Sequence, residues 1–165
     1  MAGQVIGKTM TNGFAGAYSR QPDQIIDTRI TGTGGLKPGD PVKLSTGTAV
    51  LMGGSSAATD FAGVAIRAVK TSDYGANTES YAAGEPVGVM KRGRIIVKCN
   101  VGTPALNGDV YVRITYNASV PDGVVGGFEA SSDSTNSVKV TNIRWAGAKD
   151  ANGMAELEIL YPVNA

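Results

Sequence analysis

The sequence predicts an all-β protein, with a compact antiparallel β-sandwich or barrel-like body over residues 36–165 behind an extended N-terminal arm over residues 1–35. Three observations carry this expectation. Seventeen Val and ten Ile stand against six Leu, and β-branched side chains fit a pleated strand better than a helix. Twenty-three glycines and seven prolines among 165 residues demand frequent turns, so the strands must be short and many. Between the turns, apolar and polar residues alternate with period two, the spacing of a strand buried on one face. A chain of this length removes about 70% of its unfolded surface from water, enough for one self-sufficient core.

In chain order, the arm carries Ile6, Met10, Phe14, Tyr18, Ile25, Ile26 and Ile30 among Gly, Thr, Asn and Gln, without sustained periodicity. So many hydrophobes do not suit a solvated linker, and the arm is expected to dock on another subunit, for example by added-strand pairing. Gly32, Gly34 and Gly35 break the chain, and Lys37-Pro38-Gly39-Asp40 is a turn with Pro and Gly at its centre. Gly32–Gly35 reads as a hinge, not a phosphate loop, because no GK[ST] and no helix pattern follow.

Strand signals then recur. Val42 and Leu44 alternate with Lys43 and Ser45, and Val64, Ile66 and Ala68 alternate with Arg67. Only Ser72–Ala83 has any helical character, and Gly75 and Thr78 make a loop equally compatible. Val87 and Val89 precede a break at Gly93, followed by Ile95, Val97 and Cys99 opposite Arg94 and Lys98. This implies a hairpin or a bulged, bent strand. Gly108-Asp109 leads into Val110, Val112 and Ile114, with Tyr111, Arg113 and Thr115 on the other face of a half-buried antiparallel strand. Residues 116–136, rich in Gly, Ser and Asp, predict a long surface loop with one short strand. Val138 with Val140, Ile143 with Trp145, and Ala155, Leu157, Ile159 and Tyr161 set against Glu156 and Glu158 supply the closing strands.

Composition also excludes chemistry. The chain has no histidine, which removes Ser-His-Asp, Cys-His and His-metal sites together. Asp40, Asp109 and Asp122 adjoin glycine, as turn carboxylates do, and Glu85 beside Pro86 reads as a strand start rather than as one of a catalytic pair. No enzyme activity, cofactor or metal is expected. Cys99 is single and reads as a small buried hydrophobe. Fifteen basic and fourteen acidic residues leave a charge of +1, so neither nucleic acid nor an anionic membrane is an expected partner. No basic segment with an apolar run opens the sequence, and no stretch of about 18 apolar residues occurs, so neither a signal peptide nor a membrane span is expected. Lys91, Arg92 and Arg94 form the densest basic cluster and are candidates for a turn that contacts an acidic partner surface. Asn117-Ala118-Ser119 matches the N-glycosylation pattern but carries no weight in a chain without a secretion signal.

The ordered segments GDPVKLSTG, DFAGVAIRAV, YAAGEPVGVMKRGRIIVKC, NGDVYVRIT and NIRWAGAKDANGMAELEIL, preceded by PDQIIDTRI, resemble tailed-phage capsid cement, or head decoration, proteins. The resemblance covers most of residues 39–160 and rests on order and spacing; residues 116–136 have no counterpart in it. It implies a virion protein made in the host cytoplasm. Such a protein would bind the outside of the major capsid lattice as a homo-oligomer, a trimer by preference and otherwise a dimer, and stabilise the head. Lys91, Arg92 and Arg94 would then face the capsid. A carbohydrate-binding β-sandwich module is the alternative, with Trp145, Tyr111, Tyr116 and Tyr161 as stacking faces.

Overall fold

The computed structural model describes residues 11–68 and 80–160. The described chain is built from strands with a single 3-10 turn, Ala58–Asp60, and no α-helix. The strands are β1 (Tyr18–Ile30), β2 (Pro41–Ser45), β3 (Thr48–Leu51), β4 (Phe61–Ala65), β5 (Pro86–Val101), β6 (Val110–Arg113), β7 (Phe128–Glu129), β8 (Ser137–Val140), β9 (Ile143–Trp145) and β10 (Met154–Ile159). They join in one open, mostly antiparallel sheet whose main path runs β3-β2-β4-β5-β7-β6-β8. The β5–β7 pair is parallel, and β1 and β10 also pair with β5, while β9 extends β10. The all-β expectation holds. The body is a single open sheet because β5 is long enough to belong to both of its parts.

β5 is the spine of the molecule. Its sixteen residues pair antiparallel with β1, β4 and β10. The predicted break at Gly93 falls inside this one continuous strand and is not a hairpin. Gly93 has φ +123°, and a Cβ there would lie 2.9 Å from the Asp23 carbonyl oxygen and 3.2 Å from the Gln24 Cβ. β1 is bulged at the same place, with register shifts between Arg20 and Ile25 and between Ile25 and Ile26. Glycine is needed because this backbone is strained for an L side chain and the opposing strand leaves no space. Gly93→Ala is therefore expected to destabilise the fold by about 1–3 kcal/mol, measured by urea unfolding. An unchanged midpoint would contradict this packing.

Two apolar clusters form the core. The larger gathers Phe61, Met90, Ile95, Val97, Cys99, Val112, Phe128, Trp145 and Leu157 among others, with the Phe61 and Phe128 rings edge to face at 6.5 Å. The smaller holds Leu36, Val42, Ala49, Ala65, Tyr81, Val87 and Val89. Cys99 is buried, as its strand setting predicts. β4 departs from the expected alternation, since all five of its residues are buried. It lies between β2 and β5 with both faces covered, so a continuous apolar run is what the position requires.

The predicted turn at Lys37-Pro38-Gly39-Asp40 forms, with Gly39 at φ +87° and the Asp40 N–H donating to the Lys37 carbonyl at 3.1 Å. The Asp40 carboxylate in turn accepts from the Lys37 N–H at 2.7 Å. Burial pushes the Asp40 pKa up to about 6, against the opposing pull of the Lys37 N–H. The folded state thus binds a proton more readily than the unfolded chain. The stability this group contributes is greatest at low pH and falls as pH rises from about 4 to about 6, with no further loss above. Asp40→Asn keeps an acceptor for Lys37 and should remove that fall, raising stability at pH 7.5 by on the order of 1–3 kcal/mol. Chemical denaturation at pH 4, 5, 6 and 7.5 tests it; parallel pH profiles for the two proteins would refute it.

Candidate functional site

Seven large apolar side chains are exposed among the described residues, and four of them, Phe14, Tyr18, Ile25 and Ile30, fall within the segment leading into and forming β1. These four are between 47% and 64% exposed. Ile26, between them, is partly buried against the larger core cluster, and Ile6 and Met10 lie outside the described residues. β1 is extended, and its backbone pairs with β5 of the same chain, from Tyr18 opposite Ile95 to Ile30 opposite Pro86. Asn12 fixes the chain further upstream, its N–H donating to Asp150 at 2.8 Å and its side-chain amide to the Met154 carbonyl at 2.6 Å. β1 thus pairs along one edge with β5 of the same chain and, among the described residues, with no second strand, and four apolar side chains along the segment stay exposed. Scattered exposed hydrophobes are ordinary, whereas several on one edge segment mark an interaction surface.

The basic cluster sits in the middle of β5, on either side of Gly93, not in a turn. Lys91 pairs with Asp27 at 3.2 Å, Arg92 with Asp23 at 3.1 Å, and Arg94 with Glu158 at 3.0 Å and Glu156 at 3.5 Å. Arg20 adds a contact to Glu156 at 3.0 Å. The hydrogen bond from Lys91, with help from Arg29, holds the Asp27 carboxyl below its usual range despite partial desolvation. Burial alone would raise the Glu156 pKa, but Ser19, Arg20 and Arg94 together lower it. The surface here is a mosaic of both signs that pins β1 and β10 to the spine. Exposed pairs of this kind contribute little individually, so their main effect is registration of the strands.

Residues 116–136 are organised by a group that alternation alone does not reveal. Arg113, on the face of β6 expected to meet solvent, is fully buried and makes a two-pronged contact with the equally buried Glu129 of β7. Its third nitrogen reaches Asp133 at 2.6 Å, and Asp133 also accepts from the Asn117 amide at 2.9 Å. Gly123 packs directly against the guanidinium, where any Cβ would collide with it. Burial alone would lower the Arg113 pKa, but Glu129 and Asp133 raise it overall. Asn117, first, and then Arg113 hold the Asp133 carboxyl down. The loop is thus tied at both ends and displays Tyr116 and Val124 outward.

Other candidate sites dissolve on inspection of their surroundings. Trp145 is 1% exposed inside the larger core cluster and offers no stacking face; Tyr111 is half-buried and Tyr161 lies outside the described residues. Glu85 accepts from the Ala82 N–H at 2.7 Å within its own turn. No group of three or more His, Cys, Asp or Glu among the described residues is placed to hold a metal.

Comparison with known proteins places the chain among structural proteins. No curated protein matches the chain. A chain from the solved structure "The capsid of Myoviridae Phage XM1" superposes with a TM-score of 0.71 at 19% identity, covering 96% of this chain and 98% of that one. At that identity the match establishes a shared fold. The family model for the structural cement protein (E217 gp24/Pam3 gp6) matches residues 2–160. With the match running from the arm through β10, the chain belongs to this family of phage structural cement proteins and is a non-enzymatic component of the capsid.

Proposed function

We propose that the protein binds the outer surface of the major capsid lattice as a homotrimer and stabilises the head by tying neighbouring capsid subunits together. The observation that carries this reading is the set Phe14, Tyr18, Ile25 and Ile30, apolar and exposed along an edge segment that pairs with its own chain on one side only. Such side chains lose water-exposed area only when another chain covers them, at about 25 cal/mol per Å². Those at the chain's own oligomer contacts and those against the capsid need not be individually strong, because many copies on a lattice act together. A trimer suits the local threefold positions of such a lattice, since cyclic closure satisfies every copy with the same contact. Lys91, Arg92 and Arg94 with their acidic partners form a rim that selects the orientation of docking rather than its strength.

Particles assembled without the protein are expected to lose genome or integrity at lower temperature, or at lower salt, than complete particles. Adding the purified protein back should restore resistance. Unchanged particle stability together with no affinity of the purified protein for capsids would refute the reading.

A further inference from the structure

A groove of about 680 Å³ opens between the 34–40 turn region, residues 80–83 and the 124–128 segment, within the size range of pockets that hold a ligand or short peptide. Leu51, Val124 and Met154 line its apolar part, and Val124 is 56% exposed, so no described residue covers that wall. We propose that this groove receives the N-terminal segment, residues 1–10, of a neighbouring copy. The inference rests on the reading of the protein as an oligomeric cement and says which surface accepts the arm.

Four observations favour that occupant. The described chain begins at Thr11, and the ten preceding residues, MAGQVIGKTM, carry Val5, Ile6 and Met10. Ten extended residues reach about 33–36 Å, enough to leave one body and enter another. Residues 69–79, which rejoin the described chain beside the groove at Ser80, are the less suitable filler, since VKTSDYGANTE is mostly polar. Direction favours a neighbour over the same chain. Ala15 packs against Gly39 at one part of the groove wall, whereas Asn12 is bonded to Met154 at another, so the chain followed toward its N-terminus heads away from Asp40. Asp40, in the same wall, has no ion-pair partner among the described residues, and Lys8 of an entering arm would supply one. Lys37 and Lys98 also line the groove, so apolar contact supplies the main attraction.

The test uses full-length protein carrying Ile6→Cys and Val124→Cys, with the buried Cys99 retained. Mild oxidation is expected to give covalent multimers on a non-reducing gel, and mixing the two single-cysteine variants should give a linked pair of chains. A faster-migrating linked monomer would place the arm in its own groove and overturn the proposal, as would the absence of any link. As a second readout, Val124→Asp should weaken self-association at least tenfold by sedimentation while leaving the melting temperature unchanged. Wild-type self-association in that variant would also overturn it. Both experiments use purified protein without capsids, and capsid co-sedimentation of the same variants separates the two readings. Capsid binding without the cross-link refutes the groove alone.

Discussion

Replacing Arg113 with methionine is expected to lower stability by about 3–5 kcal/mol, a large share of what holds a domain of this size together. The cost arises from what is left behind. Glu129 is fully buried on β7, and without the guanidinium its carboxylate has no compensating charge in the core. Asp133 would also lose its cation, although it keeps the Asn117 and Asn136 amides. Glu129→Gln should cost less, because a neutral amide still offers Arg113 an acceptor. The double replacement Arg113→Met with Glu129→Leu should recover most of the loss, since an apolar pair is often as stable as a buried ion pair. Urea unfolding of the four proteins checks the set, and a single-variant cost below about 1 kcal/mol would contradict the buried-pair account. What the double variant should not recover is the ordering of residues 116–136, because the guanidinium is the hub that joins β6, β7 and the Asp133 turn. Faster amide exchange in that loop, at wild-type global stability, is the expected signature.

The contrast between Arg113 and its neighbours shows how far the sequence can be read. Val110 and Val112 face the core as period two predicts, and β10 follows its alternation as well, whereas in β2 Lys43 and Leu44 are both half-buried beside the buried Val42. Arg113 breaks the pattern because its counter-charges lie sixteen and twenty residues downstream, in a stretch whose Gly and Ser content reads as loop. β3 was illegible for another reason. Its four residues, Thr48–Leu51, set between Thr46-Gly47 and Gly53-Gly54, are too few to display a period, and its place in the sheet depends on pairing with β2. β1 was readable as extended but not as a strand of its own sheet. Its bulges around Asp23 and Gln24 disrupt periodicity, and its partners in β5 lie 56 to 77 residues away. The candidate contact residues were legible as apolar content; which of them are uncovered was set by tertiary packing. Ile26 turns to the core while Ile25 and Ile30 remain exposed.

That division between Ile26 and its neighbours allows the capsid contact to be tested apart from folding. The double variant Ile25→Asp with Ile30→Asp is expected to reduce binding to capsids lacking the protein at least a hundredfold, with thermal stability nearly unchanged. Both side chains are about half exposed, and surface substitutions outside special contacts usually shift stability by no more than about 0.5 kcal/mol. Covering an isoleucine completely contributes about 1.5–3 kcal/mol relative to leaving it in water, so two half-covered residues supply roughly that much together. Burying carboxylates in their place adds a desolvation cost on top, and each 1.4 kcal/mol is a factor of ten in affinity. On a lattice the loss recurs at every copy, so particle stability should fall more steeply than single-site affinity does. Ile26→Asp is the matched control, because a charge placed against the core should lower the melting temperature first and binding only as a consequence. If the exposed pair leaves capsid co-sedimentation within threefold of wild type, neither Ile25 nor Ile30 meets the capsid. The strand would then be a structural edge whose apolar side chains meet only solvent.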